Sequence, residues 1–166
     1  MTIRFGSLSW LLAGFTLCIT GEIDAQNLEF EPNNNALEAT QMESDKTYSG
    51  RVMNNSDHDY YSLPVASDGV VTARFISEGS GGNDYFTISL INSSGVLLDQ
   101  TESGKGQTAV VTANVRSGNV YVVVERGYYH SDERYSLTSN FAPTGATSSL
   151  VEFEPNNNAS DATSTE

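Results

Sequence analysis

An all-β fold, an antiparallel β-sandwich of the jelly-roll kind with about eight strands, is what three features of this sequence predict. Between residues 47 and 141 short apolar runs recur at roughly ten-residue spacing, the rhythm of sandwich strands. Many of the runs alternate apolar and polar side chains, as a strand with one buried face requires. Clusters of Gly, Asn, Ser and Asp separate them, and no stretch sustains a helical period apart from a turn around Ala36–Gln41.

In order, the strands are expected at Thr47–Met53, Asp59–Val65, Val70–Ile76, Tyr85–Asn92, Val96–Thr101, Gln107–Val115, Asn119–Glu125 and Arg134–Phe141. The period of two places Tyr61, Leu63 and Val65 on one face, and likewise Phe86, Ile88 and Leu90, and Tyr135, Leu137 and Phe141. Pro64 has no amide hydrogen to give to a ladder, so its strand belongs at a sheet edge. Asn92-Ser93-Ser94-Gly95 and Ser117-Gly118-Asn119 carry turn chemistry, and the Gly- and Ser-rich run Ser77–Asp84 reads as a flexible loop.

Outside this body the chain is modular. Residues 1–25 read as a secretory signal peptide: Arg4 supplies the positive start, Leu8–Ile19 the apolar stretch, and Ile23-Asp24-Ala25 a small-residue cleavage site. The apolar run is short of the roughly 20 residues that span a bilayer, so no membrane span is expected after cleavage. Glu29–Ala36 (Glu-Phe-Glu-Pro-Asn-Asn-Asn-Ala) recurs letter for letter as Glu152–Ala159, an offset of 152 − 29 = 123 residues, and Ala39-Thr40 maps onto Ala162-Thr163. That period is too long for a solenoid turn and suits a whole domain used in tandem. The expected layout is a signal peptide (1–25), a module (26–142), a linker (143–150) and the start of a second, truncated copy (151–166), the module itself monomeric.

Cleavage would remove the single Cys, Cys18, so no disulfide could staple the mature module. It would also leave 7 basic against 19 acidic residues, once Arg4, Glu22 and Asp24 are taken from the 8 and 21 of the whole chain. That balance argues against nucleic acid or anionic membrane as partners and in favour of cations. In the repeated motif Glu31 precedes a proline and is held extended, so Glu29, Glu31 and Asn33 project from one side. Asp57 and Asp59 show the same alternate spacing just before a strand. Gathering these acids needs a counter-ion, and Ca²⁺ accepts six to eight hard oxygens with tolerant geometry. The segment is no EF-hand, since counting from Asp57 the sixth residue is Ser62 and the twelfth Asp68. The competing reading makes the motif a solvated linker with Phe30 tucked into the core.

Glu29-Phe30-Glu31-Pro32-Asn33-Asn34, Ala39-Thr40, Gly50, Asp57-His58-Asp59-Tyr60-Tyr61, Asn119–Val124 and Tyr135-Ser136-Leu137 together resemble the bacterial pre-peptidase C-terminal domain family, over about residues 28–141. The resemblance implies a β-sandwich from secreted proteins, often beside peptidase domains, with relatives in some collagenases that bind calcium and collagen. Carried over by position, it implies Glu29, Glu31, Asn33, Asn34, Asp57 and Asp59 as Ca²⁺ ligands. Asn34 stands where related calcium modules carry an acid.

No catalytic constellation is legible. His58 and His130 lie outside any recognisable motif, no Gly-x-Ser-x-Gly elbow or zinc-binding helix occurs, and His58 reads as a solvated loop residue. Tyr128 and Tyr129 are the candidates for contact with an extracellular polymer, a collagen-like protein or a polysaccharide, although tyrosines in a hairpin connection can equally cover the end of a core. The expectation is a secreted, non-catalytic, calcium-stabilised module, a spacer or adhesion domain of a larger protein. The alternative is the front of a secreted hydrolase, a peptidase, whose catalytic domain lies beyond residue 166.

Overall fold

A computed structural model describes residues 27–79, 85–127 and 134–145. The expected signal peptide, the residues from 146 onward with the second motif, residues 80–84 of the expected Ser77–Asp84 loop, and residues 128–133 with Tyr128, Tyr129 and His130 lie outside the described residues. Among the described residues ten strands run in chain order: β1 Asn27–Leu28, β2 Thr40–Gln41, β3 Thr47–Gly50, β4 Asp59–Val65, β5 Gly69–Ser77, β6 Tyr85–Asn92, β7 Leu97–Gly104, β8 Thr108–Val115, β9 Gly118–Arg126 and β10 Tyr135–Pro143. Eight of them are the strands expected from sequence, β4 and β6 to the residue. The other two, β1 and β2, are two residues each, too short to carry a readable alternation.

The strands form two five-stranded sheets, ordered β1-β3-β10-β5-β8 and β2-β4-β9-β6-β7. The antiparallel pairs β3·β10, β4·β9, β5·β8 and β6·β7 are nested, as in one long hairpin with its tip at the β6–β7 turn. Wrapping that hairpin on itself divides it between two sheets and adds β5·β10 and β6·β9, which is the jelly-roll arrangement. The sheets are mixed rather than purely antiparallel, because β1 lies parallel to β3 and β2 parallel to β4. One segment, residues 27–41, thus straps the same edge of both sheets.

The expected alternation places the core. Tyr61, Leu63 and Val65 point inward from β4, Phe86, Ile88 and Leu90 from β6, and Tyr135 and Leu137 from β10, all buried. Phe141 is only partly buried at the far end of β10. Aromatic rings fill the end of the sandwich where β4 and β10 begin: Phe75 lies 5.1 Å from both Phe86 and Tyr135, and Tyr61 lies 6.1 Å from Tyr48 and 6.5 Å from Tyr135. Burying rings of this size removes a large apolar area from water and so contributes much of the stability of so small a domain. It also brings two phenol hydroxyls into the interior, and these need partners. Pro64 sits in the part of β4 past its two-residue contact with β2, so it occupies an open edge as expected. The Asn92–Gly95 turn closes through Asn92 Oδ1, which accepts from the amides of Ser94 and Val96, with Gly95 at a φ of 78° that glycine adopts freely.

Candidate metal centre

The strap is built from alternating residues, and its alternation decides the site. Glu29 and Asn33 turn inward, while Phe30 is 77% exposed, so the reading with Phe30 in the core is overturned. Phe30 has no room inside because the facing end of the sandwich is already filled by Tyr61, Tyr135 and Phe75. Main-chain bonds seat the strap: Glu29 N donates to Ser49 O (3.0 Å) and Tyr60 N to Asn33 O (2.9 Å). Thr40 Oγ1 accepts from Phe30 N and from Asn33 Nδ2, tying the strap to β2. The Glu31–Pro32 peptide is cis.

Carboxylate oxygens of Glu29, Glu31 and Asp59 lie within 4.8 Å of one another. Glu29 Oε1 accepts from Arg51 N (2.7 Å), and its Oε2 from the hydroxyls of Tyr61 (3.1 Å) and Tyr135 (3.3 Å). Tyr135 also bonds to Asp59 Oδ2, so the two buried phenols find their partners in the acids. Glu31 Oε2 accepts from Asn33 N (3.1 Å). Gly50 permits this convergence: a Cβ there would overlap the Tyr135 ring and lie 2.5 Å from Glu29 Oε2.

The electrostatics are unfavourable as they stand. Burial, then the Glu29 carboxylate, push Asp59 up to about 9. Burial raises Glu29, and burial together with Asp57 raises Glu31. Burial also pushes the Tyr61 and Tyr135 phenols well up, so both remain hydrogen donors. Two acceptor oxygens, Asn33 Oδ1 and Asp59 Oδ1, are buried without a hydrogen-bond partner. An orphaned carboxylate oxygen among mutually repelling acids, as at Asp59, is what a hard cation relieves. Ligands about 2.4 Å from one ion can be at most about 4.8 Å apart, so the three acids fit a single Ca²⁺-sized ion.

Of the six residues expected from sequence, three therefore meet, Glu29, Glu31 and Asp59, while Asn33 is buried with its main-chain amide on Glu31 and its side-chain amide on Thr40. Asp57 stands nearby with Oδ2 engaged by Met53 N. Asn34 Oδ1 is likewise engaged, accepting from His58 N (2.9 Å), and this bond fixes the loop ahead of Asp59. His58 is half-buried, its Nδ1 2.7 Å from Glu125 Oε1, rather than loose in solvent. Tyr61, Tyr135, Gly50 and Thr40 belong to the site and were missed as such. Tyr61 could have been found, since it is two residues after Asp59 on the same inward face. Tyr135 is far away in sequence and carries no such signal.

With the geometry in place, comparison with known proteins is informative at the level of fold. No family model and no curated protein matches the chain. Among solved structures, the pre-peptidase C-terminal domain of the collagenase from Bacillus anthracis matches with a TM-score of 0.51 and 20% identity, covering 61% of this chain and 94% of that one. The two share a fold. The resemblance seen in the sequence is thus matched at the level of fold by a pre-peptidase C-terminal domain. An isomaltodextranase from Arthrobacter globiformis T6, complexed with panose, matches with a TM-score of 0.37 and 14% identity over 52% of this chain and 17% of that one. The structure of CsCBM6-3 from Clostridium stercorarium in complex with cellobiose matches with a TM-score of 0.29 and 14% identity over 74% and 91%. Likeness at those scores does not distinguish one β-sandwich from another. Among the described residues no helix is long and apolar enough to cross a membrane.

Proposed function

We propose that this chain supplies a non-catalytic β-sandwich module of a secreted protein, latched by Ca²⁺ and serving as a spacer or as a substrate-directed or adhesive domain. The observation that carries the reading is the meeting of Glu29, Glu31 and Asp59, with Asp59 Oδ1 buried and without a hydrogen-bond partner. Bound there, Ca²⁺ would neutralise the acids and satisfy the buried Asp59 Oδ1. The chain's own residues do the rest: Tyr61 and Tyr135 orient the inner carboxylates, Gly50 leaves them room, and the strap pins one edge of both sheets. Asp59 is fully buried, with Tyr135 on one oxygen, which suits a structural acid rather than one that meets substrate. The shared fold with a collagenase domain supports an extracellular, polymer-directed setting, for which Tyr128 and Tyr129 remain the proposed contacts.

Thermal unfolding in EDTA and in millimolar Ca²⁺, with the Glu31→Gln and Asp59→Asn variants beside the unaltered protein, tests the latch. A cation present at a hundredfold its dissociation constant stabilises by about 2.7 kcal/mol, which in a domain of this size raises Tm by roughly 10 °C. The rise should be absent from Asp59→Asn and much reduced in Glu31→Gln. An unaltered protein that melts at the same temperature in both buffers would return the motif to the status of a linker.

A further inference from the structure

Arg126 carries two further buried polar atoms without partners, and these are donors, where those of the metal centre are acceptors. Its Nε and Nη2 are buried and meet no acceptor, while Nη1 donates to Asn55 Oδ1 at 3.3 Å. Nε and Nη2 share one edge of a guanidinium. The two unused N–H groups are therefore its side-on fork, the edge that pairs with both oxygens of one carboxylate.

The period of β9 puts the fork there. Arg126 follows the buried Val122 and Val124 at alternate positions and lies beside Phe86 of β6, whose side chain is buried. The guanidinium is drawn over the end of the core instead of out into water. Neither acid close to it in the fold fills the fork: Glu125 Oε1 lies 2.7 Å from His58 Nδ1, and Asp57 gives Oδ2 to Met53 N. Buried N–H groups of a charged side chain that bond to nothing are costly, and an oxyanion is what relieves them. Access lies past Asn55, because residues 53–56 are exposed and Asn55 holds the guanidinium by one long bond.

We infer that Arg126 binds a ligand carboxylate: the Asn55 side chain swings aside and the two oxygens of the ligand take Nε and Nη2 together. A planar carboxylate uses both its oxygens on the fork. Phosphate also pairs with arginine, but it brings more charge to a chain of net charge −13 and oxygens that the fork leaves unsatisfied. Neither Arg126 nor Asn55 belongs to the metal centre, so the site stands with or without Ca²⁺. The same two oxygens come on a free acid or on the uronic acid of a glycan, and the second source rests on the polymer-directed reading given above.

The test titrates the full chain with sodium glucuronate and with a glucuronate-bearing oligosaccharide, following the Arg126 Nε–H resonance, which is identified by its loss from Arg126→Lys. The resonance should shift and saturate. Arg126→Lys keeps the charge without the fork and should weaken binding, read by calorimetry, by about tenfold or more. Asn55→Asp sets a carboxylate of the protein's own beside the guanidinium and should weaken it likewise. An unmoved resonance, or binding equal to that of the unaltered protein in both variants, overturns the inference, and inorganic phosphate that binds as tightly as glucuronate overturns the choice of carboxylate. Should Arg126→Lys not fold by circular dichroism, Asn55→Asp and the saturable shift decide the matter. Tighter binding of the oligosaccharide than of glucuronate supports a polymer-borne carboxylate, and equal binding overturns that source while keeping the site. The series is run in EDTA and in Ca²⁺: a shift in both, with no Ca²⁺ effect on Tm, removes the cation latch and keeps the carboxylate site.

Discussion

Asp59 concentrates the conflict in this molecule. It is a fully buried carboxylate facing two other acids, with one oxygen on Tyr135 and the other without a partner. Replacement by Asn keeps the shape and an acceptor for Tyr135 while removing the charge. In EDTA, Asp59→Asn should therefore raise stability by about 1–2 kcal/mol, measured by urea denaturation, even as it abolishes the response to Ca²⁺. The same group gives the metal-free protein an unusual pH dependence. Folding lifts Asp59 from an ordinary 3.8 to about 9, so between these values the native state holds a proton that the unfolded chain has released. Stability is then full below about pH 4 and falls as pH rises toward 9. Calorimetry in EDTA should show Tm declining from pH 5 to pH 8, and saturating Ca²⁺ should flatten or reverse that slope. A Tm in EDTA that climbs over this range would mean that Asp59 is already ionised in the native state. At Gly50, any side chain must displace Tyr135 or Glu29, so Gly50→Ala should cost about 1–3 kcal/mol and weaken Ca²⁺ binding together, read by titration calorimetry on the folded fraction.

At the scale of elements, the strap and the β6–β7 turn do different work. The strap adds only two short parallel pairings, yet it covers part of one edge of each sheet and carries two of the three acids of the site. Its hydrogen-exchange protection should consequently depend on Ca²⁺, with the amides of Glu29 and Tyr60 slowing on addition of the ion while the centre of β5 is unchanged. Equal protection of Glu29 in EDTA and in Ca²⁺ would show that backbone pairing alone holds the strap. The β6–β7 turn is the tip of the nested hairpin. Gly95→Ala places a Cβ at a φ of 78° and should cost about 1 kcal/mol without any change in the Ca²⁺ response. That variant is the control separating general destabilisation from damage to the site.

For the whole molecule, the jelly-roll wrapping joins the beginning of the body to its end: β3 pairs with β10 and β4 with β9. Nearly all sheet pairings away from the tip are therefore distant in sequence. A domain with so few local contacts folds on the millisecond-to-second scale, and stopped-flow refolding should fall in that range with or without Ca²⁺. The proposed cation latch, by contrast, would form late if the strap docks on a finished edge. Ca²⁺ should then mainly slow unfolding and leave the folding rate nearly unchanged.

The eight main strands, their inward faces and the edge placement of Pro64 were legible in the sequence, because a period of two and the turn residues that interrupt it are local properties. The acids of the site were legible for the same reason, since Glu29, Glu31 and Asn33, like Asp57 and Asp59, share a side through their spacing alone. What the sequence could not decide was which of these residues meet. Asn34 and Asp57 have the right chemistry but spend their oxygens on the amides of His58 and Met53, whereas Tyr135, 76 residues from Asp59, reaches the site only because β10 lies next to β3. Parallel pairing of β1 and β2 was likewise invisible, since two residues carry no period. Spacing along the chain determines which way a side chain points. The closing of two sheets over one another determines what it finds there.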